Sequence, residues 1–424
     1  MRVYKPSGIK WLGEIPHHWE IKKAKGIFKE VKRSVKDNDE IITCFRDGIV
    51  TLRKNRRTEG FTNSLKEIGY QGIRVNDLVI HSMDAFAGAI GVSDSNGKAT
   101  PVYVVCVPRY DNLADNKYYA YLLRNVANSG FILSLAKGIR ERSTEFKYND
   151  FADLKIPLPP LQEQKEIAEF LDKKCEKIQN YIDKKQKLIT LLQEKKQALI
   201  NEVVTKGLNP NIEFKNSGIA YLGLIPHHWE VKKLKHICKI NPQTNETLPN
   251  NFVYIDLESV AKGQLLKEQT INKEQAPSRA QRILQKQDIL FQLVRPYQRN
   301  NYIFNKNGDY VASTGYAQIR TKECVNFVYY ALLENSFVER VILKSTGSNY
   351  PAITSNDFAD LKIPLPPLQE QKQIANFLDE KCEKINSAIE KTKKQIELIK
   401  EYKNTLINEA VCGRINFLEG ILNE

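Results

Sequence analysis

Apolar side chains recur at alternating steps of three and four residues between Leu161 and Thr205, a stretch of 45 residues without proline or glycine. This spacing places them along one stripe of a helix and is typical of a coiled-coil seam. Pro159 and Pro160 stand directly before the stretch, and proline is disfavoured inside a helix. The pattern therefore predicts a helix that begins at Leu161 and measures about 68 Å if complete.

The same stripe returns 207 residues later, with polar breaks at matching positions such as Lys196 and Lys403. Because one apolar stripe cannot bury itself, we predict that the two helices pack on each other, antiparallel and related by a pseudo-twofold axis. The alternative is that each helix packs on a separate partner chain. Pairing the helices centre to centre would set Lys196 near Phe377. The predicted coiled-coil core comprises Leu171, Cys175, Ile178, Ile182, Ile189, Leu192 and Leu199 on the first helix, and Leu378, Cys382, Ile385, Ile389, Ile396, Ile399 and Leu406 on the second.

Two sequence blocks also occur in two copies each. The letters SGIKWLGEIPHHWEIKK begin at Ser7 and return as SGIAYLGLIPHHWEVKK from Ser217; we call these the HHWE blocks. The letters NDFADLKIPLPPLQEQK stand at 149–165 and again at 356–372; we call these the PPLQEQK blocks. The segments between them, roughly 21–148 and 231–355, are unlike each other. This organisation indicates a shared frame that presents two different surfaces.

The unlike segments are predicted to be mixed α/β with short strands, because β-branched and aromatic residues cluster between turn signals. Two amphipathic helices are predicted in matching places, one over 118–136 and the other over 328–344. The candidate strands are Leu78–Ser82, Val102–Val107, Asn251–Leu257, Ile289–Leu293 and Tyr316–Arg320.

Composition narrows the class of partner. Sixty-four Lys and Arg residues oppose 50 Asp and Glu residues, which gives a net charge of +14 and a pI near 9.2. Such a balance favours a polyanion such as nucleic acid, although a merely soluble basic protein would share it. No run approaches the roughly 20 apolar residues of a membrane span, and the first residues lack an apolar signal core. The seven scattered cysteines suit reduced thiols, so we expect a cytoplasmic protein without a membrane partner.

The HHWE blocks, the PPLQEQK blocks and the long heptad helices, all in two copies around variable segments, resemble the specificity subunit of a type I restriction-modification enzyme. The resemblance covers nearly the whole chain. It implies a mixed α/β fold in which two globular target recognition domains are joined by two long antiparallel coiled-coil helices, with a pseudo-twofold internal repeat. The implied parts are an N-terminal target recognition domain at 1–156, a first conserved spacer helix at 157–206, a second target recognition domain at 207–363, and a second spacer helix with a C-terminal tail at 364–424.

The resemblance also implies a function. Each recognition domain would read one half of a bipartite, asymmetric site in double-stranded DNA, and the coiled coil would space the readers and dock two methyltransferase subunits. Restriction subunits would complete the complex. S-adenosylmethionine, ATP and magnesium would belong to those partner subunits, with no cofactor in this chain. The alternative is a coiled-coil scaffold protein without sequence-specific DNA binding.

Basic and amide side chains in short polar stretches are the candidate DNA contacts, because they suit phosphates and base edges. Each one taken alone is equally a solvated surface group. In the first variable segment the candidates are Arg53, Lys54, Arg56, Arg57, Lys137, Arg140 and Arg142. In the second they are Arg279, Arg282, Arg295, Gln298, Arg299, Asn300, Lys344, Ser348 and Asn349.

A catalytic role is not expected. The letters NPQT at 241–244 approach an adenine methyltransferase motif but lack its second proline and its aromatic residue. The EQK triplets at 163–165 and 370–372 mimic a nuclease signature without the accompanying acidic strand. The paired histidines at 17–18 and 227–228 lack the other ligands of a metal shell. We therefore predict a non-catalytic DNA-recognition subunit without a metal site.

Overall fold

The chain forms two compact units. The computed structural model describes residues 3–56, 68–135, 145–243 and 246–415. Unit 1 comprises residues 1–185 and 394–424, and unit 2 comprises residues 186–393. The boundaries lie within the two long helices, so each unit contains the start of one long helix and the end of the other. The four-part functional division stays a prediction, which compactness alone does not test.

The two long helices form where the apolar stripes predict them. The first runs over Leu161–Lys206 and the second over Leu368–Val411. Glycines follow both helix ends in the left-handed conformation, Gly207 with φ 76° and Gly413 with φ 71°. Glycine adopts this conformation without a steric penalty and commonly terminates helices. Within the described ranges, no helix is both long and apolar enough to cross a membrane.

Within each unit the two helix segments run antiparallel. In unit 1, Leu171 near the start of the first helix shares a hydrophobic core with Val411 at the end of the second. In unit 2, Val203 near the end of the first helix shares a core with Ala375 near the start of the second. The antiparallel pairing is therefore confirmed.

The register, however, differs from a centre-to-centre pairing. Lys196 Nζ donates to Asn386 Oδ1 at 2.9 Å. Lys196 therefore lies beside Asn386 and not beside Phe377, and the expected register is wrong. Burial raises the pKa of the Cys382 thiol, and the nearby charge of Lys196 opposes that rise. Lys403 acts in the same way on the equivalent Cys175. The two helices are therefore paired in the same register in unit 1 and in unit 2. The helix ends pack into the globular parts, and this packing, not the positions of the helix midpoints, sets the register.

Every predicted position of the coiled-coil core is buried or half-buried. The buried positions are Leu171, Ile178, Ile189, Leu378, Cys382, Ile389 and Ile396. The half-buried positions are Cys175, Ile182, Leu192, Leu199, Ile385, Ile399 and Leu406. Thr392, a polar position within the second apolar stripe, is also buried, and its hydroxyl donates to the Ala388 carbonyl at 2.7 Å within the helix.

Unit 1 is built on an antiparallel four-stranded sheet in the order β4 (Phe28–Glu30), β11 (Tyr103–Pro108), β8 (Leu78–His81) and β9 (Ile90–Val92). Its strands are β1 Tyr4–Pro6, β2 Glu14–Pro16, β3 Glu20–Lys23, β4 Phe28–Glu30, β5 Ile42–Cys44, β6 Val50–Leu52, β7 Gln71–Ile73, β8 Leu78–His81, β9 Ile90–Val92, β10 Gly97–Ala99, β11 Tyr103–Pro108 and β12 Lys155–Leu158. Its shorter helices are Ala24–Ile27, Asn116–Asn128, Phe131–Leu135 and Tyr148–Asp153. The helix Asn116–Asn128 buries Leu122 and Val126 in the core that also contains Ile80 of β8.

Unit 2 repeats that sheet in the order β16 (Cys238–Ile240), β25 (Tyr316–Thr321), β22 (Asp288–Gln292) and β23 (Tyr302–Phe304). It adds a second sheet in the order β20 (Gln269–Asn272), β17 (Asn251–Ile255), β24 (Tyr310–Ser313) and β21 (Ala280–Ile283). Its strands are β13 Phe214–Asn216, β14 Leu224–Pro226, β15 Glu230–Lys233, β16 Cys238–Ile240, β17 Asn251–Ile255, β18 Val260–Ala261, β19 Gln264–Leu265, β20 Gln269–Asn272, β21 Ala280–Ile283, β22 Asp288–Gln292, β23 Tyr302–Phe304, β24 Tyr310–Ser313, β25 Tyr316–Thr321 and β26 Lys362–Leu365. Its shorter helices are Leu234–Ile237, Val325–Leu332, Asn335–Leu343 and Ser355–Ala359.

The five candidate strands are confirmed as β8, β11, β17, β22 and β25. The two continuous amphipathic helices are wrong, because each is divided in two. In unit 1 the break follows Asn128, where Gly130 takes a φ of 80°. In unit 2 Glu334 interrupts the helix, and its carboxylate caps the next one by accepting from the backbone N–H groups of Ser336 and Phe337. An N-cap carboxylate satisfies the donors that a new helix start leaves free.

The duplicated blocks make matching contacts in both units. Glu163 of the first EQK triplet accepts from Trp19 Nε1 at 3.1 Å, and its other oxygen lies 2.5 Å from His18 Nε2. In unit 2, Glu370 and His228 Nε2 are 2.7 Å apart. The acidic residue of each triplet therefore joins its helix start to an HHWE block, which is a structural task.

A buried glutamine follows each of these glutamates and links three segments. Gln164 Nε2 donates to the Pro159 carbonyl at 2.8 Å, and its Oε1 accepts from the Asp115 N–H at 2.8 Å. The Oε1 of Gln371 accepts equivalently from the Cys324 N–H at 3.0 Å. Both glutamines are fully buried. The repeated letters thus specify one joint, used twice, between the long helix and the helix packed on the sheet.

We expect Gln164→Met to lower the free energy of unfolding of unit 1 by about 2–4 kcal/mol, because it leaves a buried donor and a buried acceptor unsatisfied. Urea unfolding of the intact chain measures the change. Gln162→Met is the matched control, since Gln162 lies two residues earlier, is exposed, and within the described residues donates to Glu166 of its own helix. Equal unfolding midpoints for the two variants would contradict the prediction.

Candidate nucleic-acid interface

The loop that follows β22 in unit 2 holds two arginines in an unusual backbone conformation. Arg295 and Arg299 have φ values of 54° and 55° and flank a short turn, Pro296–Gln298. A left-handed conformation costs a residue with a side chain about 1–2 kcal/mol. Such strain collects at functional sites, where the surrounding structure enforces it. The conformation therefore marks this loop as a candidate site.

Buried amides at the end of β22 hold the loop in place. The Gln292 N–H donates to Asn301 Oδ1 at 2.9 Å, and Gln292 Nε2 donates to Gln298 Oε1 at 2.8 Å. Gln292 Oε1 accepts from the Asn300 N–H at 3.2 Å. The loop is thus ordered before any ligand binds, which lowers the entropic cost of recognition.

The two arginines of the loop differ in their engagement. Arg299 Nη1 donates to Asn335 Oδ1 at 2.7 Å, and burial lowers its pKa, so this side chain supports the loop from within. The Arg295 guanidinium instead lies 4.2 Å from the ring centroid of Tyr350, which is 65% exposed. An arginine stacked at an exposed aromatic ring keeps its outer edge available for bidentate hydrogen bonds to a base or a phosphate.

The structure joins the loop after β22 to the segment 344–352. The Arg295 N–H donates to the Pro351 carbonyl at 2.7 Å, and Val294 pairs with Ala352. Three of the predicted contacts, Lys344, Ser348 and Asn349, lie exposed in that second segment.

The other two predicted arginines of unit 2 lie at a different place. Arg279 is exposed just before β21, an edge strand of the second sheet, and Arg282 lies within β21. Arg282 is half-buried, its Nε has no acceptor in the described part of the chain, and burial lowers its pKa.

In unit 1 the predicted contacts follow β6. Lys54 pairs with Glu40 at 2.7 Å, and Arg53 Nε donates to Thr43 Oγ1 at 3.3 Å. Arg56 pairs with Asp47 and lies 4.4 Å from the Phe45 ring centroid. Exposed ion pairs contribute only about 0–1 kcal/mol, so Arg56 can exchange Asp47 for a phosphate at little cost. Arg57, Lys137, Arg140 and Arg142 lie outside the described residues.

Arg53 and Arg56 line an open cleft of about 690 Å³ in unit 1, together with Phe45, His81 and Met83. His81 ends β8, the strand equivalent to β22, and the His81 ring meets Tyr103 edge to face at 4.7 Å. The described residues contain no group of three or more His, Cys, Asp or Glu side chains that could hold a metal ion.

Sequence reasoning missed the aromatic members of both surfaces. Tyr297 and Tyr350 are 51% and 65% exposed beside Arg295, and Phe45 packs under Arg56. One sequence signal could have located both surfaces. DLVIH at 77–81 resembles DILFQ at 288–292, and this match places the loops that follow at equivalent ends of the two sheets. The direct contacts with DNA stay predictions for all the candidate residues.

Comparison with known proteins gives a consistent result. The family model described as "Type I restriction modification DNA specificity domain" matches residues 16–192 and 226–398. The type I restriction enzyme MjaVIII specificity subunit of Methanocaldococcus jannaschii is 25% identical over 451 aligned residues, which cover 98% of this chain and 97% of the relative. The putative type I restriction enzyme MjaX specificity subunit of the same organism is 27% identical over 438 residues, 98% of each chain.

Two solved structures share the fold. One, from work on complex assembly and conformational transition of the type I R-M system, has a TM-score of 0.69 at 17% identity and covers 95% of this chain and 99% of its own. The HsdS subunit from Thermoanaerobacter tengcongensis has a TM-score of 0.53 at 17% identity, with 95% and 98% covered. These likenesses confirm the expected mixed α/β fold with two repeated domains and two long helices.

Proposed function

The chain belongs to the family of type I restriction modification DNA specificity proteins, and from that premise we propose that unit 1 and unit 2 each read one half of a bipartite, asymmetric DNA site. A member of this family is a DNA-recognition subunit and not an enzyme. The observation that carries the division into two readers is the repeated sheet. β4-β11-β8-β9 and β16-β25-β22-β23 have the same strand order, while the loops at their ends carry different side chains.

The net charge of +14 supports the same proposal. Lysine and arginine neutralise phosphates and release counterions, which supplies affinity without sequence preference. Sequence preference then comes from base edges read in the grooves. In unit 2 Arg295 has the chemistry for a guanine, and in unit 1 Arg56 has the chemistry for a phosphate or a guanine.

We propose that the long helices also dock two methyltransferase subunits. In unit 1, Leu398 and Tyr402 on the second helix are 55% and 54% exposed. In unit 2, Leu191 on the first helix is 51% exposed. These apolar side chains lie outside the coiled-coil core and are the residues that we propose contact the methyltransferase subunits. Restriction subunits would join the same complex, and S-adenosylmethionine, ATP and magnesium would bind to those partners.

Selection from a library of random DNA duplexes tests the proposed function. We expect the bound duplexes to share two conserved half-sites at a constant separation, because two different readers are held in one chain. Binding should weaken steeply with salt in proportion to the number of phosphates contacted. A coiled-coil scaffold would retain only weak binding without any shared motif, and that outcome would contradict the proposal.

Arg295→Gly separates recognition from stability. Glycine accepts a positive φ, so we expect the fold to be no less stable than the parent, even though the stacking on Tyr350 is lost. Affinity for the selected site should fall by about tenfold or more, because one bidentate base contact contributes about 1–3 kcal/mol. Fluorescence anisotropy with the selected duplex measures this affinity.

The matched control for Arg295→Gly is Lys391→Gln, which removes one positive charge from an exposed position of the second long helix. It should change affinity less than twofold at about 0.15 M salt, where distant charges are screened. If both variants bind equally well, Arg295 contributes only general charge and is not a reader.

A further inference from the structure

Unit 1 contains a second cavity, of about 650 Å³, whose lining includes none of the predicted DNA contacts among the described residues. It is bounded by the helix Asn116–Asn128 and by segments of both long helices. Small-molecule sites typically measure about 300–1,000 Å³. This volume therefore suits an organic molecule rather than a single ion.

The lining of this cavity is rich in positive charge and in hydrogen-bond donors. Arg124, Lys400 and Lys403 contribute three cations, and no carboxylate is among the described residues that line it, although Arg124 also lines a smaller cleft beside Asp47 and Asp172. Amide groups of Asn128 and Asn404 add neutral donors and acceptors. The surplus of positive charge favours an anion, and it favours a dianion over a monoanion.

Two donors in this lining are buried without an acceptor. They are Nε1 of Trp11 and Nε of Arg124, both unpaired in the described part of the chain. Buried donors are nearly always paired in folded proteins, so these two are available to a ligand or a water once a shift of the side chain uncovers them. Trp11 and Tyr121 also provide aromatic surface beside the cations.

The equivalent place in unit 2 is satisfied internally. Leu333 stands where unit 1 has Arg124, and its carbonyl accepts from Gln197 Nε2 at 2.9 Å. Lys196, the counterpart of Lys403, donates to Asn386 at 2.9 Å. Within the described residues Lys403 has no such acceptor. The two units therefore differ here although the duplicated helices are alike, and the difference is a set of donors available in unit 1 only.

We propose that this cavity of unit 1 binds an organic phosphate of about mononucleotide size. A phosphate monoester carries a charge of about −1.5 to −2 at neutral pH and several strong acceptor oxygens. Lys403 and Arg124 would hold the phosphate, and the Trp11 N–H would complete its hydrogen bonds. The aromatic surface of Trp11 and Tyr121 would face the organic part.

Equilibrium dialysis of the full chain with adenosine 5′-monophosphate tests the site, with inorganic phosphate and adenosine as further probes. At about 0.15 M salt, where exposed charges are screened, we expect one saturable molecule of the monophosphate per chain. Inorganic phosphate should compete for the same site, and adenosine should bind far more weakly. Saturable binding to several molecules per chain, or no saturable binding of either phosphate, would overturn the proposal.

Three variants locate the bound molecule. Lys403→Met should weaken binding about tenfold or more, because a charge-assisted hydrogen bond is lost. Trp11→Phe keeps the ring beside Phe131 but removes the donor, and should weaken binding severalfold. Lys196→Met is the matched control in unit 2 and should leave the affinity unchanged. Equal losses in Lys403→Met and Lys196→Met would overturn the assignment, as would unchanged binding in Trp11→Phe together with Lys403→Met.

A competition with duplex DNA distinguishes this site from the DNA surface. Saturating the chain with its selected duplex should leave binding of the monophosphate unchanged. Displacement by the duplex would show that the cavity receives a backbone phosphate of DNA, which would overturn the small-molecule site without affecting the proposed recognition of DNA.

Discussion

A fragment of residues 1–210 is expected to form a homodimer with twofold symmetry and to exchange the asymmetric DNA target for a palindromic one. In the intact chain, residues 394–415 complete unit 1. Tyr118 Oη donates to the Val411 carbonyl at 2.9 Å, and Asn125 Nδ2 donates to Asn408 Oδ1 at 2.9 Å. The fragment lacks this segment, so its own apolar stripe loses its partner.

A second copy of the fragment supplies an equivalent segment. The letters LINEVV at 199–204 correspond to LINEAV at 406–411, so Asn201 replaces Asn408 and Val204 replaces Val411. Each large aliphatic side chain that is buried again contributes about 1.5–3 kcal/mol. In a twofold-symmetric dimer each copy supplies the segment that the other copy lacks. Two identical readers related by a twofold axis then recognise inverted copies of one half-site.

Analytical ultracentrifugation at micromolar concentration measures the dimer. Ile178→Glu with Ile189→Glu should return the fragment to a monomer, because both positions are buried and a buried unpaired carboxylate is costly. Asn180→Glu with Thr190→Glu adds the same charge at exposed positions and should leave the dimer intact. A parent fragment that stays monomeric with its helix formed would show that the stripe packs on a different partner.

Replacing residues 24–147 with the corresponding segment of a relative is expected to change one half of the recognised site completely and to leave the other half and the separation unchanged. The exchange retains β3 and β12, the two strands that belong to the duplicated blocks. These strands pair with each other, with Ile21 opposite Pro157. It also retains the long helices. Only the surface that unit 1 presents is therefore altered.

Mapping of methylated bases in cells that supply the partner subunits reads out the exchange. The reciprocal exchange of residues 234–354 is its control, and should change the opposite half-site. If either exchange alters both halves, or the distance between them, the units do not read DNA independently.

The repeated frame follows from the amino-acid sequence alone. The apolar spacing of three and four residues predicted the first long helix from Leu161, and the helix begins there. Helix periodicity depends only on neighbours along the chain, which is why one sequence suffices to derive it. The β-branched runs likewise located β8, β11, β17, β22 and β25. The two-copy blocks predicted equivalent joints, and His18 with Glu163 and His228 with Glu370 form them.

The helix register and the contacts of each candidate arginine depend on the tertiary structure. Lys196 meets Asn386 rather than Phe377, because the ends of the helices are positioned by the cores into which they pack. Arg299 and Arg295 look alike in the sequence, yet Arg299 is bonded to Asn335. Arg295 instead stacks on Tyr350, which lies far along the chain. Such contacts join residues that are distant in sequence, and no local pattern of apolar and polar positions encodes which of them close together.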